Sequence, residues 1–220
     1  MDSKNAFWEA FLVTLAVFVI GIFVGASYEY GRSSKIKESM FLSEQSLIDM
    51  FILSKITNSK TINCETIVKS ELKLADDIYK DALLLERYES TEKIIDELEK
   101  VHRKYDLLRT LLWVDFREIP DDCKKNISSI VYLYEYKTKD QVKKAKSGVW
   151  SKVLLEVKNE MGDKVILIPI AVDSNISSLD VLVSKFNISE FPLIILNDRE
   201  IIYELTSSEE IKEHLLNKST

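Results

Sequence analysis

At 220 residues the chain has room for one large or two small domains, and its 46% hydrophobic content is that of a globular protein. A formal net charge of −6 excludes a general nucleic-acid binder, which needs a basic face. Two cysteines are too few for a disulfide scaffold but enough for one bridge, and five Gly and three Pro predict mostly regular structure with short connections.

Phe7 to Tyr28 is apolar apart from Glu9 and small polar residues. Its uncharged run of ~17 residues from Ala10 to Ala26, extended by Phe7, Trp8 and Tyr28, is about enough helix for a ~30 Å hydrocarbon core. Trp8 at one end and Tyr28 with Tyr30 at the other read as interfacial anchors. The expectation is an uncleaved, single-pass anchor over residues 1–32. A cleaved signal peptide is the competing reading, with a meagre positive n-region and a loose cleavage match at Gly25-Ala26-Ser27. Gly21 and Gly25 form a G-x-x-x-G that lets two membrane helices approach, although glycine is common in such helices for other reasons. Residues 33–60 are a basic link followed by a helix from about Glu38 to Thr57, with Leu47, Ile48, Phe51 and Ile52 on one side.

Residues 61–123 read as an antiparallel helical hairpin. Val68, Leu72, Ala75, Tyr79 and Ala82 repeat in steps of four and three from Asn63 to Arg87. Ile94, Leu98, Val101, Tyr105, Leu108 and Leu112 do the same in a second helix that opens at Ser90. That spacing is a coiled-coil-like seam, and the short Tyr88-Glu89 connection makes the two helices neighbours. Cys64 begins the first helix and Cys123 follows the second, so both lie at one end of the hairpin. A Cys64–Cys123 bridge is expected there, against the alternative of two unrelated thiols.

From residue 124 onward the pattern changes to α/β. Ile130 to Tyr136 and Val165 to Val172 are apolar strand segments. Between them Thr138-x-x-Gln141 reads as a capping box for a helix reaching about Glu160. A short helix from about Leu179 to Phe186 leads to Phe191-Pro192 and the strand Leu193 to Leu196, where a proline is tolerated at a strand's start. Asn197-Asp198 turns the chain into Glu200 to Leu205, and Ser207-Ser208-Glu209-Glu210 opens a terminal helix through Leu216.

This order, with its x-Phe-Pro-apolar strand, resembles the thioredoxin fold over roughly Ser128 to Leu216. The resemblance implies a cis proline facing the redox cysteines. On the best register those cysteines would stand near Gln141 and Lys144, and neither is a thiol. Thiol–disulfide exchange needs a thiolate, so this domain is expected to lack that activity. Non-redox members of the superfamily bind peptides or partner proteins around the proline, which marks Phe191, Pro192, Gln141 and Lys144 as the expected binding residues. The fold class expected is thus a thioredoxin-like α/β domain (residues 124–220), preceded by a helical hairpin and a single membrane helix.

Other constellations carry less. His102 and His214 have no companion ligands, so no metal is expected. Without a phosphate loop or nucleophile elbow, neither a cofactor nor a conventional enzyme activity is expected. Lys137, Lys139, Lys143, Lys144 and Lys146 are either an acidic-partner contact or a solvated helix face. Four Asn-x-Ser sequons, at Asn126, Asn175, Asn187 and Asn217, exceed the roughly one expected by chance. With the cysteines they point outside the cytoplasm, whereas Arg32, Lys35 and Lys37 point the other way. The functional expectation is a membrane-anchored adaptor or chaperone-like module for a protein or peptide partner. Two alternatives remain: a homo-oligomeric scaffold, and thiol–disulfide exchange through Cys64 and Cys123.

Overall fold

The computed structural model describes residues 7–28, 45, 48–49, 51–52, 63–86 and 95–216, with side chains omitted over 81–86 and 95–98. The chain divides into two compact units, residues 1–44 and 45–220. In the first, helix α1 (Phe7–Tyr28) spans 22 residues at a mean hydropathy of 2.5. It is long and apolar enough to cross a membrane, and a signal sequence has the same features. Within the predicted juxtamembrane helix, residues 45, 48–49 and 51–52 are helical; the remainder lies outside the described residues.

The second unit is built on four strands: β1 (Ser128–Tyr134), β2 (Val165–Ala171), β3 (Leu193–Leu196) and β4 (Glu200–Ile202). Their order is β2-β1-β3-β4, with β1 and β2 parallel and the other two pairings antiparallel. The parallel pair is joined through helix α4 (Gln141–Met161), and α5 (Ser177–Lys185) links β2 to β3. Helix α6 (Ser208–Leu216) closes the fold. The strands are near-continuous apolar runs because helices cover both faces. On one face Ile130, Tyr132, Ile194 and Leu196 pack with Trp150, Leu154 and Val157 of α4 and with Ile211 and Leu215 of α6. Pro169 sits inside β2, which an edge strand permits because one row of its backbone groups has no ladder partner.

Helices α2 (Cys64–Glu86) and α3 (Ile95–Glu118) form the expected pair, and the start of the second helix, including Ser90, falls outside the described residues. On α3 the predicted stripe is deeply buried at Val101, Tyr105, Leu108 and Leu112. On α2 Val68 of the predicted stripe is buried, but the other buried positions are Ile67, Glu71 and Ile78, while Tyr79 is 41% exposed. The reason is tertiary. Helix α2 packs on α3 and on edge strand β2 together, so its buried face is rotated away from a two-helix seam. Helix α3 also packs on β2 and α5, so the boundary drawn at residue 123 is not a break in packing.

Three ends moved. Strand β1 begins at Ser128, because Ser128 and Ser129 pair with Val165 and Ile166, and it stops at Tyr134. Strand β4 stops at Ile202, opposite Ile194, since four-residue β3 offers little more to pair with. The N-cap of α4 is Asp140 rather than Thr138: its carboxylate accepts the Val142 and Lys143 amides.

Candidate functional site

Parallel and antiparallel pairings together place the head of β3 at the carboxyl end of β1, since Leu193 lies opposite Leu133. The segment before that head carries the predicted binding residues. The Phe191–Pro192 peptide is cis, Pro192 is buried, and Phe191 is half-buried. Among the described residues no hydrogen bond engages the Phe191 N–H or C=O. Gln141 and Lys144 stand exposed in the first turn of α4. Between them, Lys143 ties that turn to its surroundings. Its Nζ pairs with Glu135 Oε2 at 2.7 Å, and the Glu135 carboxylate, followed by the charges of Asp140 and Glu190, holds the ammonium above its ordinary range. Glu190 immediately precedes Phe191, so the first turn of α4 and the approach to Pro192 are electrostatic neighbours. Val142, in the same turn, is 76% exposed.

The loop leaving β1 is tied from two sides. Asp173 accepts the Tyr136 amide at 2.9 Å and the Lys137 amide at 2.6 Å. Lys137 also pairs with Glu99 of α3, and the Tyr136 ring lies 4.6 Å from that of His102. Beneath the loop, the buried Asp106 carboxylate accepts the Ala171 amide at 3.1 Å and the Ser174 hydroxyl, and faces Arg109 at 3.4 Å. Burial raises the Asp106 carboxyl, against the opposing effects of Arg109, Ser174 and Ala171. These contacts bind α3 to the carboxyl end of β2. Two of the five clustered lysines, Lys137 and Lys143, are committed to ion pairs.

The predicted disulfide lies apart from this surface. Cys64 and Cys123 form a disulfide with a Cα–Cα distance of 5.0 Å, joining α2 to a 3-10 turn (Asp121–Lys124) at the opposite end of the sheet. Gly21 and Gly25 sit on α1 with open space where a Cβ would stand. Among the described residues no cluster of three metal-ligating side chains occurs.

Sequence reasoning did not find a cleft of ≈ 490 Å³ at the amino end of β1. Its floor is the β3–β4 turn, where Asn197 and Asp198 adopt φ values of 52° and 57°. Paired positive φ angles define a type I′ turn, which Asn and Asp tolerate better than most residues. Asn197 Oδ1 accepts the Ser129 amide at 3.0 Å, fixing the turn to β1. Asp198 accepts the Trp113 indole N–H at 2.6 Å and lies 3.6 Å from Arg117 Nε. Lys124 donates to the Phe116 and Arg117 carbonyls, closing the end of α3; burial lowers its ammonium, opposed by Asp121 and Asp198. The lining residues come from four separate stretches of chain, so no local pattern announces them.

No protein-family model matches the chain, and no curated protein matches it. Three solved chains match. One, described as the structure of a malarial protein, is 17% identical and aligns over 43% of this chain and 100% of its own, with a TM-score of 0.33.

Proposed function

We propose that this is a single-pass, membrane-anchored protein whose C-terminal part is a thioredoxin-like domain that binds an extended segment of a protein partner. The fold reading is supported by the order β1-α4-β2-α5-β3-β4-α6 and the sheet order β2-β1-β3-β4, together with a proline before β3. The domain performs no thiol chemistry, because no cysteine follows Cys123. The disulfide and the exposed sequon residues Asn126, Asn175 and Asn187 favour an extracytoplasmic location.

One observation carries the binding role. At the head of β3 the Phe191 backbone offers a donor and an acceptor with no partner among the described residues, beside a half-exposed aromatic ring. Those groups fit an extended peptide by short β-strand addition, with Phe191 and Val142 supplying apolar contact. The test is a crosslinking pull-down from native membranes with the full-length chain and its Phe191→Ala variant. Loss of capture by a variant with unchanged circular dichroism and unfolding midpoint is the expected result. Unchanged capture per folded molecule would overturn the role of this surface.

The exposure of Cys64 favours a second reading, exchange through the Cys64–Cys123 pair. Insulin-disulfide reduction that disappears in Cys64→Ala would establish it; the proposed function requires none.

A further inference from the structure

We infer that the cleft at the amino end of the sheet binds a small phosphate monoester with an apolar body, its phosphate held by Arg117 and Lys185. The site is independent of the peptide surface, which lies at the other end of the strands.

Charge accounting leads to an anion. The cleft is lined by the cations Arg117, Lys124, Lys185 and Arg199 and by three carboxylates, in a chain whose net charge is −6. Two of the carboxylates are already engaged. Asp198 takes the Trp113 indole N–H and Arg117 Nε, and Asp121 faces Lys124 at 3.7 Å and Arg199 at 3.6 Å. Lys124 directs its ammonium at the Phe116 carbonyl, the Arg117 carbonyl and Asp121. Among the described residues the exposed Glu118 carboxylate is also without a partner, but the donors left over on Arg117 and Lys185 outnumber it. Arg117 keeps its two terminal nitrogens, and among the described residues no hydrogen bond or ion pair engages the Lys185 ammonium.

The Arg117 guanidinium is also held in place. Asp198 pulls on its Nε while the group lies 5.1 Å from the Phe186 ring centroid, and that ring stacks on Trp113 at 5.4 Å. A planar fork fixed along one edge and one face presents its remaining N–H groups without further ordering cost, as suits several oxygens on one phosphorus. Val114 and Leu182 supply apolar wall, and a space of ≈ 490 Å³ accommodates a body of one or two rings beside the phosphate.

The experiment uses the oxidised full-length chain in dodecyl maltoside micelles, titrated calorimetrically with 1-naphthyl phosphate, 1-naphthol and inorganic phosphate. Saturable binding of 1-naphthyl phosphate is expected, with weaker binding of inorganic phosphate and none of 1-naphthol. Lys185 is exposed, so Lys185→Glu keeps the fold and should weaken binding by about tenfold or more, the loss expected for a charge-assisted contact. Arg117→Met, which preserves the stacking bulk, should do the same, and Lys139→Glu at the far end of the sheet should leave binding unchanged. Repeating the titration in nanodiscs with and without phosphatidic acid separates the sources. Competition by the lipid assigns the phosphate to a headgroup, and its absence assigns it to a soluble ester. No saturable binding, equal binding of 1-naphthol, or an affinity untouched by Lys185→Glu would overturn the inference.

Discussion

At the carboxyl end of β1, the loop after Tyr134 hangs on Asp173 through two backbone amides, Lys137 and Lys143 pair with Glu99 and Glu135 near the surface, and buried Asp106 ties α3 to the end of β2. At the amino end the connections include a covalent link and a hydrogen bond from a buried indole. The Cys64–Cys123 disulfide ties α2 to the turn after α3, and fully buried Trp113 holds Asp198. Exposed ion pairs contribute little to stability because water and salt screen them. Buried and covalent connections resist opening. The amino end is therefore the one closed by a covalent link, while the outer loop at the carboxyl end rests on exposed contacts. Helix α3 touches both ends, which lets one scaffold carry two unlike surfaces.

The largest test of this difference is removal of the bridge. A disulfide closing a loop of 59 residues stabilises by about 4 kcal/mol in the chain-entropy account. The Cys64→Ala/Cys123→Ala variant should lose that much in urea unfolding, and hydrogen exchange should rise first around the Asp121–Lys124 turn. Equal protection at both ends would erase the distinction.

The next effect is a pH slope. Burial first, and the Asp115 charge second, push the Glu71 carboxyl from 4.5 up to about 8. The folded chain keeps a proton that the unfolded chain releases above about pH 4.5, so the stability from this group is complete below that pH and declines as the pH rises toward 8. By neutral pH the loss is on the order of 3 kcal/mol. Glu71→Gln should flatten this slope in unfolding curves taken between pH 5 and 8, and parallel curves for the two proteins would refute the buried-acid account.

Trp113→Phe keeps an aromatic ring but removes the donor to Asp198. A loss of about 1–2 kcal/mol is expected, with loosening confined to the β3–β4 turn. Asp173→Ala should cost less, about 1 kcal/mol, and should expose the Tyr136 and Lys137 amides to exchange without disturbing the cleft. Protection factors by mass spectrometry read both variants. If Asp173→Ala proved the more damaging of the two, the carboxyl end would be the rigid one.

The elements themselves were largely legible in the sequence. Apolar runs of the right length marked β1, β2 and β3, Asn197-Asp198 marked the hairpin turn, and the Phe7–Tyr28 run marked α1. The disulfide was legible too, since an antiparallel hairpin brings Cys64 and Cys123 to one end. These features depend on neighbours in sequence or on a single short connection, so local pattern is enough. The buried face of α2 was not legible. Periodicity reports that a helix has an apolar side, but Glu71 was carried inside by contact with both α3 and β2. Nor was the cleft, because Arg117, Lys124, Lys185 and Arg199 are each ordinary surface cations in their own stretch of chain. The sequence by itself determined the helices, the strands, the turn and the covalent bridge, through hydrophobic period, backbone preference and loop length. Only the tertiary structure decided which charges share one cleft and which acid is dehydrated, because both depend on distances between residues that the chain order keeps far apart.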